Sequence, residues 1–238
     1  MSVAEGETIR RKASQRKRRT DEPGIQARRP SQKRSLDRFN IVLEATEQLL
    51  QTADIEDISF YDIARVAKLP PASVHYLFPT MASVRIELNR LYNARMTDLI
   101  RQWGRELSAA GVYRWQDRVR AMTERTRLHF NAHRTICEVL LGPVLHRESR
   151  LANSEANDAV AAAALEEMQR VYIMPDVPGL VEHFTTNCEI IDALWSRSYL
   201  RHGTITEDAL EESVQVQIAC LRLYLPEIIA VREATEAE

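Results

Sequence analysis

Two adjacent prolines, Pro70 and Pro71, constrain the fold more than any other feature of the chain. They divide the stretch Ser59 to Phe78, SFYDIARVAKLPPASVHYLF, into two short segments. In the first, Phe60, Ile63, Ala64 and Ala67 recur at helical spacing and form one buried face. Ser59 stands where an N-cap belongs, and Asp62 three residues on can reach back to the first amide. Leu69 precedes a proline and is pushed out of the α region, so the first helix stops there. Pro71 suits the first turn of a second helix, where its missing N–H costs nothing. Val74 and Phe78 then point inward, and Ala72, Ser73, His75 and Tyr76 face out. A short helix with a small, hydroxyl and aromatic outer face is what the major groove of DNA admits. Ser73 and His75 are the candidates for base edges; Ser59 and Tyr76 are better placed for phosphate.

The flanking sequence completes a three-helix unit. Ser35 to Leu50 is amphipathic, with Phe39, Val42, Leu43, Thr46, Leu49 and Leu50 as its stripe. Ser35 or Asp37 can begin it, and Arg34 and Arg38 at its start are candidate phosphate contacts. Asp54 follows this stripe, and Asp tolerates a left-handed turn better than most residues. Pro79 ends the second short helix. Thr80 and Met81 open a long helix whose backbone amides can receive a phosphate.

Order and spacing here resemble the helix-turn-helix of the tetracycline-repressor (TetR) family of transcription regulators. Ile63-Ala64 matches the family's "IA". Ala67-Lys68-Leu69-Pro70 stands for "AGVS", and Ala72-Ser73-Val74-His75-Tyr76-Leu77-Phe78 stands for "GTLYYHF". Pro70 replaces the usual capping serine, His75 a tyrosine that meets phosphate, and Met81 a phosphate-binding lysine. The resemblance covers Arg34 to Ala82. It implies an all-α protein with an N-terminal helix-turn-helix domain and a C-terminal helical domain for ligand binding and dimerisation.

Charge fits that division. Residues 1 to 40 hold 12 Lys/Arg and 5 Asp/Glu, a surplus of 7, which leaves −9 for the remainder of a chain whose net charge is −2. A basic end on an acidic body suggests that the N-terminal part meets a polyanion. Residues 1–33 have almost no large apolar groups and are expected to be disordered when free. They are either an arm that follows phosphates or a solvated tail. Residues 34–82 are then the DNA-binding domain and 83–238 the effector and dimerisation domain. There is no apolar signal region and no apolar run long enough for a membrane span. The cysteines Cys137, Cys188 and Cys220 are odd in number and far apart, which suits buried thiols in a reducing cytosol; a cytoplasmic protein is expected.

Helices are predicted at about Met81 to Leu107, Trp115 to Asn131, Arg134 to His146 with a break at Gly142-Pro143, Glu148 to Val171, Leu180 to His202, and Thr206 to about Val231. Leu210, Val214, Ile218, Leu221 and Leu225 form one face of the last helix, and Ala209, Val216, Cys220 and Leu223 a second. One stripe serves the chain's own core; the second predicts a homodimer, a four-helix bundle made by the last two helices and their copies. Two such protomers can read a palindromic operator in double-stranded DNA.

No GxSxG, no phosphate-cradling glycine loop and no Cys-x-x-Cys is present, so no cofactor and no enzymatic activity are expected. His129, His133 and Cys137 are spaced as a zinc-binding face of one continuous helix would need, which keeps a metal-dependent enzyme as a third reading. The resemblance implies an effector pocket. Trp115, His129, His133, Cys188, Trp195 and Tyr199, aromatic or polar on apolar helices, are its candidate lining, for a largely apolar small molecule. The leading reading is a ligand-responsive dimeric repressor. The second is a DNA-binding dimer with no small-molecule effector, controlled by a protein partner.

Overall fold

The structure, a computed structural model, describes residues 26–143 and 147–232. Nine α-helices account for the regular structure among them. Helix α1 (Lys33–Leu49) packs on α2 (Phe60–Ala67), α2 packs on α3 (Pro71–Leu77), and the long α4 (Met81–Ala109) leads away from this trio. Then follow α5 (Trp115–Asn131), α6 (Arg134–Leu140), α7 (Arg147–Val171), α8 (Leu180–His202) and α9 (Glu207–Leu221). Helices α4 and α7 make the most extensive pairing, and α8 continues the layer against α7; α9 packs on both α5 and α8.

The core does not break between the N-terminal helices and the body. One buried cluster runs from Phe39, Val42 and Phe78 through Leu88, Tyr92 and Met96 of α4 to Ile136, Val139 and Trp195. A second gathers Trp115, Leu165, Met168, Tyr172, Phe184, Leu221 and Leu225 at the opposite end of the body. A continuous apolar path of this kind lets a repacking in the body reach the helix-turn-helix.

Several local expectations need correction. Helix α1 begins at Lys33, and its N-cap Gln32 makes no side-chain cap bond, so neither Ser35 nor Asp37 starts it. The non-glycine residue with positive φ among the described residues is Lys68 (φ 52°), at the end of α2, and not Asp54. Asp54 instead has its carboxylate on Arg134 of α6. Helix α6 stops at Leu140, just before the Gly142-Pro143 pair expected to kink or break it. Gly142 then turns so tightly that a Cβ would sit 2.3 Å from Glu138 O. Residues 144–146 lie outside the described residues.

Helix α9 ends at Leu221, ten residues before the predicted Val231. Pro226 forbids helix at the residue before it and removes a donor. The chain turns there and runs back along the end of α7. Ile173 N donates to Ala230 O and Arg232 N to Val171 O, each at 2.8 Å, and Tyr172 pairs with Val231 as a short antiparallel bridge.

Residues 1–25 of the basic arm lie outside the described residues. The segment after them is docked, against the expectation of disorder to residue 33. Ala27 packs on the core. Arg28 N donates to Leu77 O at 2.8 Å, and Arg29 Nε to the buried carboxylate of Glu87 at 2.7 Å.

Candidate nucleic-acid interface

The helix-turn-helix is built from its caps. Asp62 N donates to Ser59 Oγ at 3.3 Å and Ser59 N to Asp62 Oδ2 at 3.2 Å, a reciprocal capping box. The Ser59 hydroxyl and amide also hold the Asp62 carboxyl below its usual range. At the far end Lys68 adopts the left-handed conformation, and Leu69 N donates to Ala64 O at 3.0 Å. Pro70 is the N-cap of α3 and Pro71 its first residue. Val74, Leu77 and Phe78 are buried beneath α3, with Phe78 stacked on Phe39 at 4.5 Å between ring centroids.

The opposite face is open. Ala72 and His75 are exposed, Ser73 is half-buried and Tyr76 is 64% exposed. The His75 ring lies 4.2 Å from that of Phe60, and the Arg28 guanidinium sits 5.0 Å over the Tyr76 ring. Ser59 is exposed at the start of α2; Arg34 and Arg38 are exposed on α1 and make no ion pair with the described residues. Thr80 caps α4, taking Ser83 N at 3.1 Å. Two further residues border this face. Tyr61, not singled out from the sequence, is 72% exposed, and Arg28, expected only as part of the basic arm, is fixed by its backbone bond to Leu77 O.

A cavity of about 140 Å³ lies among α4, α5, α7 and α8. Met96, Ile100, Met122, Phe130 and Val160 give it an apolar wall; Asn89, Asn93, Asn153, Asn157 and Asp192 give it a polar one. Two of the six pocket candidates, Cys188 and Trp195, line it. The Trp195 indole donates to Ser213 Oγ at 3.2 Å and meets Phe130 edge-on. The other four lie elsewhere. Trp115 is buried in the second cluster, its indole donating to Pro226 O at 3.0 Å. His129 stands edge-on to Trp103, and His133 is exposed, its Nδ1 2.7 Å from His129 O. Tyr199 donates to Glu138.

The zinc spacing is undone by a break in the helix. Helix α5 ends at Asn131 and α6 starts at Arg134, and the Cys137 thiol turns inward to Phe130 O at 3.2 Å. Burial pushes that thiol up to about 12. Among the described residues no three His, Cys, Asp or Glu side chains converge as metal ligands would.

Helix α6 clamps the helix-turn-helix to the body. Its buried Glu138 accepts from Ile55 N at 3.2 Å and from the Tyr199 hydroxyl. Arg134 donates to Leu50 O and to Ala53 O, the latter at 2.8 Å. From α4, Arg85 donates to Val139 O at 2.9 Å and to Gly142 O at 3.0 Å. Leu140 of the same helix lines the cavity. The element that touches the cavity therefore also holds the loop between α1 and α2.

No family model matches the sequence, and no curated protein matches it. Solved structures do match, over most of the chain. A TetR-family transcriptional regulator from Streptomyces coelicolor superposes with a TM-score of 0.59 at 17% identity, over 81% of this chain and 99% of its own. The fold is that of the TetR-family regulators. A TetR regulator from Rhodococcus sp. RHA1 superposes at 0.56 with 15% identity, over 79% of this chain and 96% of its own. Thermus thermophilus FadR, a TetR-family repressor in complex with lauroyl-CoA, superposes at 0.54 with 15% identity, over 84% of this chain and 99% of its own. The likeness of fold thus reaches beyond Arg34 to Ala82, over most of the chain. No helix of the described residues is long and apolar enough to cross a membrane.

Proposed function

We propose that the protein is a ligand-responsive, dimeric DNA-binding regulator of transcription that acts as a repressor. The observation that carries this reading is the pairing of an open recognition face on α3 with a cavity in the body, joined by α6. Ser73 and His75 read base edges from the major groove; Ser59, Tyr76, Arg34 and Arg38 meet phosphates, and Ala72 lets the helix approach closely. Thr80 and the first amides of α4 add a phosphate site. Residues 34–82 form the DNA-binding unit, residues 83–238 the effector and dimerisation unit, and the basic arm follows the backbone.

Dimerisation uses α8 and α9. Ala193 and Leu200 are exposed on α8, Leu200 by 59%. Half-buried Val216 and Cys220 on α9, and the 75%-exposed Leu223 two residues past its end, add apolar surface beside them. Paired with a copy, these helices make a four-helix bundle and set two recognition helices roughly 34–36 Å apart, one turn of DNA. A ligand that binds better to a state with another spacing releases the operator, by as much as its differential affinity allows. The cavity favours this reading over a dimer controlled only by a protein partner. The T. thermophilus FadR complex with lauroyl-CoA supports a ligand role for such a body.

Selection of bound duplexes from a random pool tests the proposal, and His75→Ala tests the contact. The variant is expected to lose about 1–3 kcal/mol and relax preference at one base pair. Equal loss on every sequence would move His75 to the backbone.

A further inference from the structure

The polar groups around the cavity are unevenly chosen. Its first chamber is lined by one carboxylate, Asp192, by carboxamides, by the hydroxyls of Thr123 and Thr126, by the Cys188 thiol and by apolar groups, with no lysine, arginine or histidine among the described residues that line it. Asp192 accepts a single hydrogen bond, from Asn157 Nδ2 at 2.8 Å, and has no ion pair with the described residues. It lies at the neck, because it also lines an outer cleft rimmed by Arg147, Arg150 and Glu189. A second chamber of about 100 Å³ shares the walls Ile100, Met122 and Gln217. There Glu167 Oε2 and Asn187 Oδ1 are buried and take no hydrogen bond; Arg170 Nε is 3.5 Å from that Glu167 oxygen. Arg118, the cation in that wall, already donates to Gly104 O, Val112 O and Ser108 Oγ.

Buried acceptors without donors cost free energy until a ligand supplies the donors. A carboxylate facing an apolar chamber is stabilised by an ammonium and repels an anion. The first chamber is close to the ~150 Å³ of an apolar cavity that holds benzene. Resting on the effector reading of this cavity, we propose that it takes a protonated amine on a ring-sized apolar body, the ammonium against Asp192, with further N–H or O–H donors meeting Glu167 and Asn187. Burial raises the Asp192 carboxyl to about 6, so it is ionised at neutral pH and takes up a proton as the pH falls below that value. The charged groups near it are Glu189 on its own helix and Arg147 and Arg150 from α7; α4, α5 and α9 present amides, hydroxyls and apolar groups. The Cys188 thiol, pushed up to about 12, does not titrate in this range.

Calorimetric titration of the full chain with phenethylamine, phenethyl alcohol and phenylacetate tests this. The amine is expected to bind at least about tenfold tighter than the alcohol at neutral pH, with phenylacetate weakest. Asp192→Asn should close the gap between amine and alcohol. In the unaltered protein the amine's affinity should rise as pH climbs through about 6, while the alcohol's stays flat. Phenylacetate binding as well as the amine, an amine preference surviving Asp192→Asn, a flat amine profile, or no binding by any of the three would each overturn the proposal. Operator binding by the same preparation is read separately. Its persistence beside a lost amine preference sinks the ligand class alone, and its absence sinks the regulatory reading alone.

Discussion

The clamp at α6 makes the most exacting prediction. Glu138 is 5% exposed and joins three elements: its own helix, Ile55 in the loop between α1 and α2, and Tyr199 of α8. Glu138→Gln keeps the volume and removes the charge. One of its two terminal atoms becomes an N–H donor facing either Ile55 N–H or the Tyr199 hydroxyl. Hydrogen bonds to a charged group contribute about 1.5–3 kcal/mol net, so the loss of one places the cost near 2 kcal/mol. For a chain of this size that is a fall of about 4–8 °C in Tm. Tyr199→Phe removes the other partner and should cost about 1–2 kcal/mol. The two changes touch one bond, so the double variant should lose less than the sum by about 1 kcal/mol. Chemical unfolding of the four proteins in the cycle measures this. Losses that add to within about 0.3 kcal/mol would show that Glu138 and Tyr199 do not interact, and the clamp would have to be given up. Operator affinity should fall in Glu138→Gln as well, because the α1–α2 loop loses its tie to the body.

Other outcomes follow from the same geometry. Asp192 has a raised carboxyl pKa, about 6, so the native state binds a proton that the unfolded chain, near 3.8, has released. Its contribution therefore opposes folding increasingly as pH rises from about 4 to about 6. Asp192→Asn should stabilise the ligand-free protein at neutral pH by about 1–2 kcal/mol, discounting for partial exposure, and not at all near pH 4; a thermal series across pH reads the difference. Leu223→Glu, in the exposed turn just past α9, should shift the protein to monomer in analytical ultracentrifugation without lowering its Tm by more than ~2 °C, since the side chain touches little of its own core. An unchanged sedimentation coefficient would move the dimer interface elsewhere.

What the sequence made legible was local. The capping box at Ser59, the start of α3 at Pro71 and the ends of α5 and α8 follow from short-range chemistry, and the structure places them where that chemistry puts them; the end of α2 does not, because a left-handed Lys68 closes it at Ala67, two residues before the Leu69 that proline was expected to stop. The length of α9 was misjudged because its apolar period continues through Leu225 and Ile229, while Pro226 ends the backbone that would carry it. The cavity was only partly visible. Aromatic residues were weighed as its lining, yet most of its polar wall is amide. Asn89 and Asn93, Asn153 and Asn157, and Cys188 and Asp192 are each spaced one turn apart. That spacing can be read along each helix. That α4, α7 and α8 bring the three pairs to one space is a tertiary fact, and no local period encodes it. Arg28 was likewise visible only as part of a charge run; its pairing with Leu77 O depends on where α3 ends in space.

Sedimentation of the protein with a duplex recovered from random-pool selection tests the central claim most directly. Two protomers on one palindromic duplex, with binding lost on scrambling either half-site, is the predicted result. A single protomer that sediments apart from every duplex offered would contradict it.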